Sequence, residues 1–345
     1  MTPWVQHELT EPAPLLDVRG HLVCPGWSRR PVFDANLECA APGLFRRWRV
    51  KRWDYYGIWT PELFAAASLA DLGYAGLAFV YVVDLGTGRH VEQTRIRLPP
   101  RRIDLPRSSE TGAGTFDDSR LSVRFAVKAG AREVGVAAPS FDHGEGLFID
   151  VVLDEVATPE SMVIATPMGG DRFYYNRKIN CLPARGQIRW GDRSIDATPN
   201  HTLGQLDWGR GVWPYRSHWI WASANGFLPN GRTIGLNLGG GFGDLSHATE
   251  NALILGGRVH KLAHVDFEFD ATNYRAPWRC TDRDRRLAVT FVPQIERVAK
   301  TNLGIIRSGV HQVFGRYHGA VVTDDGARVE VNELPGFAEE HHARW

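Results

Sequence analysis

A two-residue period is the feature that most narrows what this chain can fold into. In Leu121-Ser122-Val123-Arg124-Phe125-Ala126-Val127-Lys128 the apolar side chains fall on odd positions, and His264-Val265-Asp266-Phe267-Glu268-Phe269-Asp270 alternates in the same way. Residues two apart share one face of a strand, so each run reads as a half-buried antiparallel strand. Residues 46–53, 90–98 and 286–292 repeat the pattern. Asp324-Asp325-Gly326, Asn230-Gly231 and Gly191-Asp192 punctuate such runs with residues that tolerate positive φ, which predicts hairpins. Helical periodicity is scarce. Residues 61–67 open either a short helix or, over 64–73, a strand. The expected class is all-β with few short helices.

At 345 residues the chain is long enough for about two domains of roughly 150 residues. No repeat of about 20–50 residues runs through it, which disfavours a propeller or solenoid. The best mid-chain break is 182–186, giving one β unit over 1–185 and another over 186–345. Closing an antiparallel sheet removes its exposed edges. Two antiparallel barrels are therefore expected, each with room for packed side chains or one small ligand.

Forty basic against 39 acidic residues leave a net charge of +1, without the basic excess of a nucleic-acid binder. The longest apolar run, 75–83, falls well short of the ~18–20 residues that span a bilayer, so no membrane insertion is expected. Residues 1–8 carry neither a basic start nor an apolar run, so no secretion leader is expected. Cys24, Cys39, Cys181 and Cys280 lie far apart with no CxxC pair. That spacing fits free thiols and a cytoplasmic setting rather than disulfides or zinc.

Chemistry concentrates in residues 206–221, Leu-Asp-Trp-Gly-Arg-Gly-Val-Trp-Pro-Tyr-Arg-Ser-His-Trp-Ile-Trp. A carboxyl among indoles is desolvated, which raises its pKa and lets it donate a proton near neutrality. Indole faces also stabilise a developing cation. Asp207 is thus a candidate acid with Arg210 as its partner, and Trp208, Trp213, Tyr215, Trp219 and Trp221 are candidate cavity walls. The alternative is a structural Asp207–Arg210 ion pair beside core tryptophans. Residues 235–244, Gly-Leu-Asn-Leu-Gly-Gly-Gly-Phe-Gly-Asp, satisfy no phosphate-loop pattern. Asn237, Asp244, Glu250 and Asn251 are either inward-facing site residues or caps of their own turns. In the expected strand 174–180, Tyr174, Asn176, Lys178 and Asn180 share one unusually polar face that suits a lined cavity.

His260 and His264 lack the carboxylate of an HExxH pair, there is no GxSxG elbow, and no cysteine has a nucleophile's context. Glu339-Glu340-His341-His342, near the C-terminus, is expected to be solvated unless Trp345 pins it down. Neither a metal nor a cofactor is expected.

Residues 176–184 (Asn-Arg-Lys-Ile-Asn-Cys-Leu-Pro-Ala), 206–215 with Trp219 and Trp221, Gly241-Phe242-Gly243-Asp244 with Thr249-Glu250-Asn251, and the closing Gly336-Phe337-Ala338-Glu339 with Trp345 resemble the bacterial family catalogued as domain of unknown function 2804. The likeness covers essentially the whole chain. More distantly, Asp207-Trp208-Gly209 resembles the Asp-His-x-Trp-Gly motif of lipocalin-like two-barrel proteins, among them carotenoid hydratases, tocopherol cyclase and pericyclase-like cyclases. Here no His follows Asp207 and the spacing to Trp-Gly is shorter. The resemblance implies two lipocalin-like barrels and acid–base chemistry on a small hydrophobic, isoprenoid or lipid-like molecule, with Asp207 or Glu250 as proton donor. A carrier with the same cavity and no chemistry, or a carbohydrate-active β protein with paired carboxylates, remains open beside it.

Overall fold

The computed structural model describes residues 5–40, 46–98, 103–303 and 306–345. Residues 1–4, which open the stretch read for a leader, lie outside them. The chain forms two curled antiparallel half-barrel sheets. Among the described residues helix is confined to two 3-10 turns, Arg46–Arg49 and Asp142–Gly144. No helix among them is long and apolar enough to cross a membrane.

The first sheet has 13 strands. Its spine runs His90–Arg97, Gly76–Asp84, Leu63–Asp71, Val50–Trp59, Leu203–Val212, Phe173–Trp190, Leu147–Asp154, Ala131–Ala138, Ser122–Lys128 and Gly112–Asp117. The second sheet has nine strands and centres on Thr233–Gly240, Arg216–Phe227, Arg328–Arg344, Ile306–Val322 and Leu287–Leu303. The segment left open between helix and strand is the strand Leu63–Asp71, buried along its whole length, where burial on both faces hides the period. The three turn dipeptides close hairpins, Trp190 pairing with Arg193, Phe227 with Thr233 and Val322 with Arg328.

The stretch 182–186 is a bend inside one continuous strand rather than a break between sheets. Cys181 adopts φ 62° at a bulge, with its N–H donating to Asn225 Oδ1 at 2.7 Å. The strand then turns from pairing with Leu203–Val212 to pairing with Leu147–Asp154. The chain changes sheets between Val212 and Arg216. All four cysteines are free thiols.

Each sheet curls around its own apolar core. Tyr56, Phe125, Val151, Tyr175, Leu206 and Trp208 belong to the first, and Ala222, Leu238, Trp278, Val313, Tyr317 and Ala338 to the second. A third cluster joins the sheets, with Tyr55, Trp59, Phe64 and Tyr81 of the first packed on Trp221, Phe314 and Phe337 of the second. Alternation along Leu203–Val212 sends Leu206, Trp208 and Val212 inward and leaves Asp207, Gly209 and Gly211 on the seam.

Gly209 is required there by close approach: a Cβ on it would lie 2.2 Å from the Trp53 indole. Gly209→Ala should therefore lower stability by about 1–3 kcal/mol through overpacking. The check is the urea midpoint, and an unchanged midpoint would contradict the packing described.

Candidate functional site

Between the sheets lies a buried polar layer, and the strand Phe173–Trp190 supplies one wall of it. Its odd residues Phe173, Tyr175 and Ile179 enter the first core, while Tyr174, Asn176, Lys178 and Asn180 face the second sheet. Asn180 Nδ2 donates to Ser223 Oγ at 2.9 Å across the seam, and Asn225 Nδ2 to Gln205 Oε1 at 2.7 Å. Tyr55 and Tyr81 hydroxyls bond at 2.8 Å, and Tyr81 continues to Gln312 Oε1 at 3.0 Å.

Asp207 is 8% exposed, with Lys178 Nζ 2.9 Å from Oδ2 and Asn176 Nδ2 donating to Oδ1 at 2.7 Å. Lys178 also sits over the Trp221 ring, 3.7 Å from its centroid. Two further carboxyls share the layer. Glu250, 3% exposed, is pushed up to about 7 by burial, against the pull of Lys178 and with the push of Asp207. Burial likewise raises Glu339 to about 7, against the hydrogen bond from Trp219 Nε1 at 3.3 Å. Gln312 Nε2 donates to the other Glu339 oxygen at 3.1 Å.

The irregular segment 248–251 holds Glu250 by side-chain bonds from its neighbours. Thr249 N–H donates to Gln6 Oε1 at 2.8 Å, and Asn251 Oδ1 accepts from Gly239 N–H at 2.7 Å. Asn237 accepts from Trp221 Nε1 at 2.9 Å and donates to the Glu250 carbonyl at 2.8 Å. Side-chain bonds of this kind replace a ladder where the chain leaves regular structure.

One end of the layer is capped by aromatics. Tyr174 lies 4.8 Å from Trp213 and 5.5 Å from Trp53, while Trp213 lies 5.7 Å from Trp219 and 6.0 Å from Trp345. Trp53, Trp219 and Trp345 are half-buried. Several buried polar atoms of the layer make no hydrogen bond within the protein: Glu250 Oε2, Asn176 Oδ1, Gln205 Nε2, Trp213 Nε1 and Trp345 Nε1.

The candidates divide. Asp207, Glu250, Asn237, Tyr174, Asn176, Lys178, Trp213, Trp219 and Trp221 converge on the layer or its cap. Arg210 does not orient Asp207. Three residues apart in a strand, the two lie on opposite faces. Arg210, wholly buried, donates to Asp54 Oδ1 at 2.9 Å and lies over the Trp208 ring on the inner side. Trp208 therefore walls the first core, edge-on to Tyr175, and not the seam. Tyr215 is 45% exposed in the connection between sheets. Asp244 is exposed, held below the usual carboxylate range by Ser246 in its own turn. Lys178 occupies the Trp221 face, so that indole is a support for the ammonium.

Gln312, Arg297 (whose Nη1 donates to Gln312 Oε1 at 3.3 Å), Tyr55, Tyr81 and Trp53 are not singled out by the sequence, and Glu339, expected to be solvated with its neighbours, is instead buried at 8% exposure. Phe337-Ala338-Glu339-Glu340-His341 carries no apolar–polar alternation, so nothing local marks Glu339 as buried; its burial comes from the register of Arg328–Arg344 against Arg216–Phe227. Trp345 does pin the C-terminal end, packing on Trp213 and Trp219 and donating its backbone N–H to the Tyr215 carbonyl at 3.1 Å.

Fold and site together define a two-sheet β protein with a buried ionisable layer between its sheets. The chain belongs to the family described as domain of unknown function (DUF2804), whose profile matches residues 6–345. No curated protein matches it. It is similar to the crystal structure of a candidate AttH from Nitrosomonas europaea, at 14% identity and TM-score 0.49 over 85% of this chain and 92% of that one. It is also similar to kievitone hydratase from Nectria haematococca, at 12% identity and TM-score 0.45 over 85% and 88%. Similarity this remote transfers no chemistry.

Proposed function

We propose that this protein is an acid–base enzyme of the hydratase, isomerase or cyclase type, acting on an apolar, isoprenoid or lipid-like substrate, with Glu250 as proton donor. The observation that carries this reading is the Glu250 carboxyl itself, buried, raised to about 7 and with Oε2 unpartnered in the protein. A general acid works best with a pKa near the operating pH, and about 7 meets that need without a cofactor. Asp207 is a poor donor because both its oxygens already accept hydrogen bonds, so its role is to hold Lys178.

Protonating an alkene carbon from Glu250 leaves a cation on the substrate, which the faces of Trp53, Trp213 and Trp219 would stabilise. Loss of a neighbouring proton to the Glu250 carboxylate gives an isomer. Capture by water, with its proton returning to Glu250, gives a hydrate; attack by an internal double bond closes a ring and moves the cation to a new carbon, which then loses a neighbouring proton to the Glu250 carboxylate.

The test starts from organic extraction of protein purified from its own host, with mass spectrometry of what co-purifies. Fresh protein should convert the extracted compound to an isomer or to a product heavier by one water. Glu250→Gln should slow that conversion by about 10²–10⁴-fold while still retaining the compound. Equal turnover by the variant overturns the donor assignment, and recovery of unchanged compound from wild type makes the protein a carrier.

A further inference from the structure

The opposite, inner face of the second sheet carries a separate cluster. Antiparallel register sets His218 directly across from His342, and Glu340 stands two residues before His342 on the same face. Glu340 Oε1 lies 3.0 Å from His218 Nε2 and 3.5 Å from His342 Nε2, and the three ligand atoms all fall within 4.8 Å of one another. A tetrahedral ion with ligands at about 2.0–2.1 Å spaces its donors by roughly 3.3–3.4 Å, so the trio is within ~1.5 Å of a binding geometry.

The surroundings are those of a metal site. Glu340 Oε2 accepts from the Tyr274 hydroxyl, which fixes the carboxylate as an outer partner would. Tyr274 is itself stacked on His311, 4.3 Å between ring centroids. His218 and His342 also line a cavity of about 520 Å³, so a ligand position would face open space, as in sites that bind an exogenous group. Arg216, Lys300 and Arg344 share that cavity wall, and Arg216 stands directly across from Arg344. Like charges placed so repel, which suits the open position to an anionic group such as a carboxylate or phosphate.

We propose that His218, Glu340 and His342 bind one divalent transition-metal ion with an open position facing this cavity. Two imidazoles and one carboxylate suit zinc, cobalt, nickel or ferrous iron better than magnesium or calcium, which take oxygen ligands. The site is independent of Glu250 and makes no use of the layer between the sheets.

Titrating tag-free, chelator-stripped protein with Co²⁺, followed by visible absorption, and with Zn²⁺, followed by calorimetry, tests it directly. One ion per chain is expected. His342→Ala, at an exposed side chain that leaves the fold intact, and His218→Ala should each weaken binding at least about tenfold. Tyr274→Phe should weaken it by about 10–100-fold through the outer partner. Zn²⁺ affinity unchanged in His342→Ala overturns the proposal, as does the absence of saturable one-to-one binding. Should His218→Ala fail to fold, His342→Ala decides alone.

Discussion

Arg210→Met should lower the free energy of unfolding by about 3–5 kcal/mol, because it strands the Asp54 carboxylate in the first core. Asp54 is 5% exposed and its Oδ1 accepts from Arg210 at 2.9 Å. The guanidinium also donates to the carbonyls of Trp53, Gly209 and Pro106, which lose those donors with it. Asp54→Leu added to Arg210→Met should recover most of the loss, since removing both members of a buried pair costs far less than removing one. Because Arg210 faces away from Asp207 and Glu250, ligand retention per folded molecule should be unchanged. Denaturant midpoints of the two single variants and the double variant make the measurement. A single variant as stable as wild type would place Asp54 in water, and lost retention in a folded Arg210→Met would tie Arg210 to the seam.

The second large effect is a pH dependence of stability. Glu250 is raised from 4.5 to about 7 in the folded chain. Between those values the folded protein keeps a proton that the unfolded chain has released, so rising pH favours unfolding across this window. Above pH 7 the accumulated penalty is about 3 kcal/mol, taken from the shift at 1.36 kcal/mol per pH unit. Glu250→Gln removes it. The variant should gain on wild type steadily from about pH 4.5 to 7 and keep a constant advantage at pH 8. Midpoints for both proteins across that range decide the matter, and parallel curves would show that Glu250 is not desolvated. This outcome needs no substrate, so it bears on the site even before a reaction is found.

Much of the local structure was legible. The alternation in 121–128 became the strand Ser122–Lys128, that in 264–270 the shorter strand Val265–Glu268, and the Asp-Gly and Asn-Gly dipeptides became hairpins. The polar row Tyr174, Asn176, Lys178 and Asn180 was visible for the same reason, since period two fixes which side chains share a face. Legibility failed where burial is two-sided, as in Leu63–Asp71, and where a bulge bends a strand without ending it, as at Cys181. The partner of Asp207 also escaped. Nearness in sequence pointed to Arg210, whereas the cross-strand partner is Lys178, set by the register of Phe173–Trp190 against Leu203–Val212.

The amino-acid order by itself determined that this chain is built of antiparallel strands and which residues travel together on a face, because strand geometry is local and repeats every two residues. Only the tertiary structure decided that the acids lie between two sheets rather than within one barrel, that Glu339 joins Glu250 there, and that Lys178 is the ion pairing with Asp207. Those facts depend on which faces meet across long stretches of chain. The same meeting of faces sets the burial that raises the two glutamates.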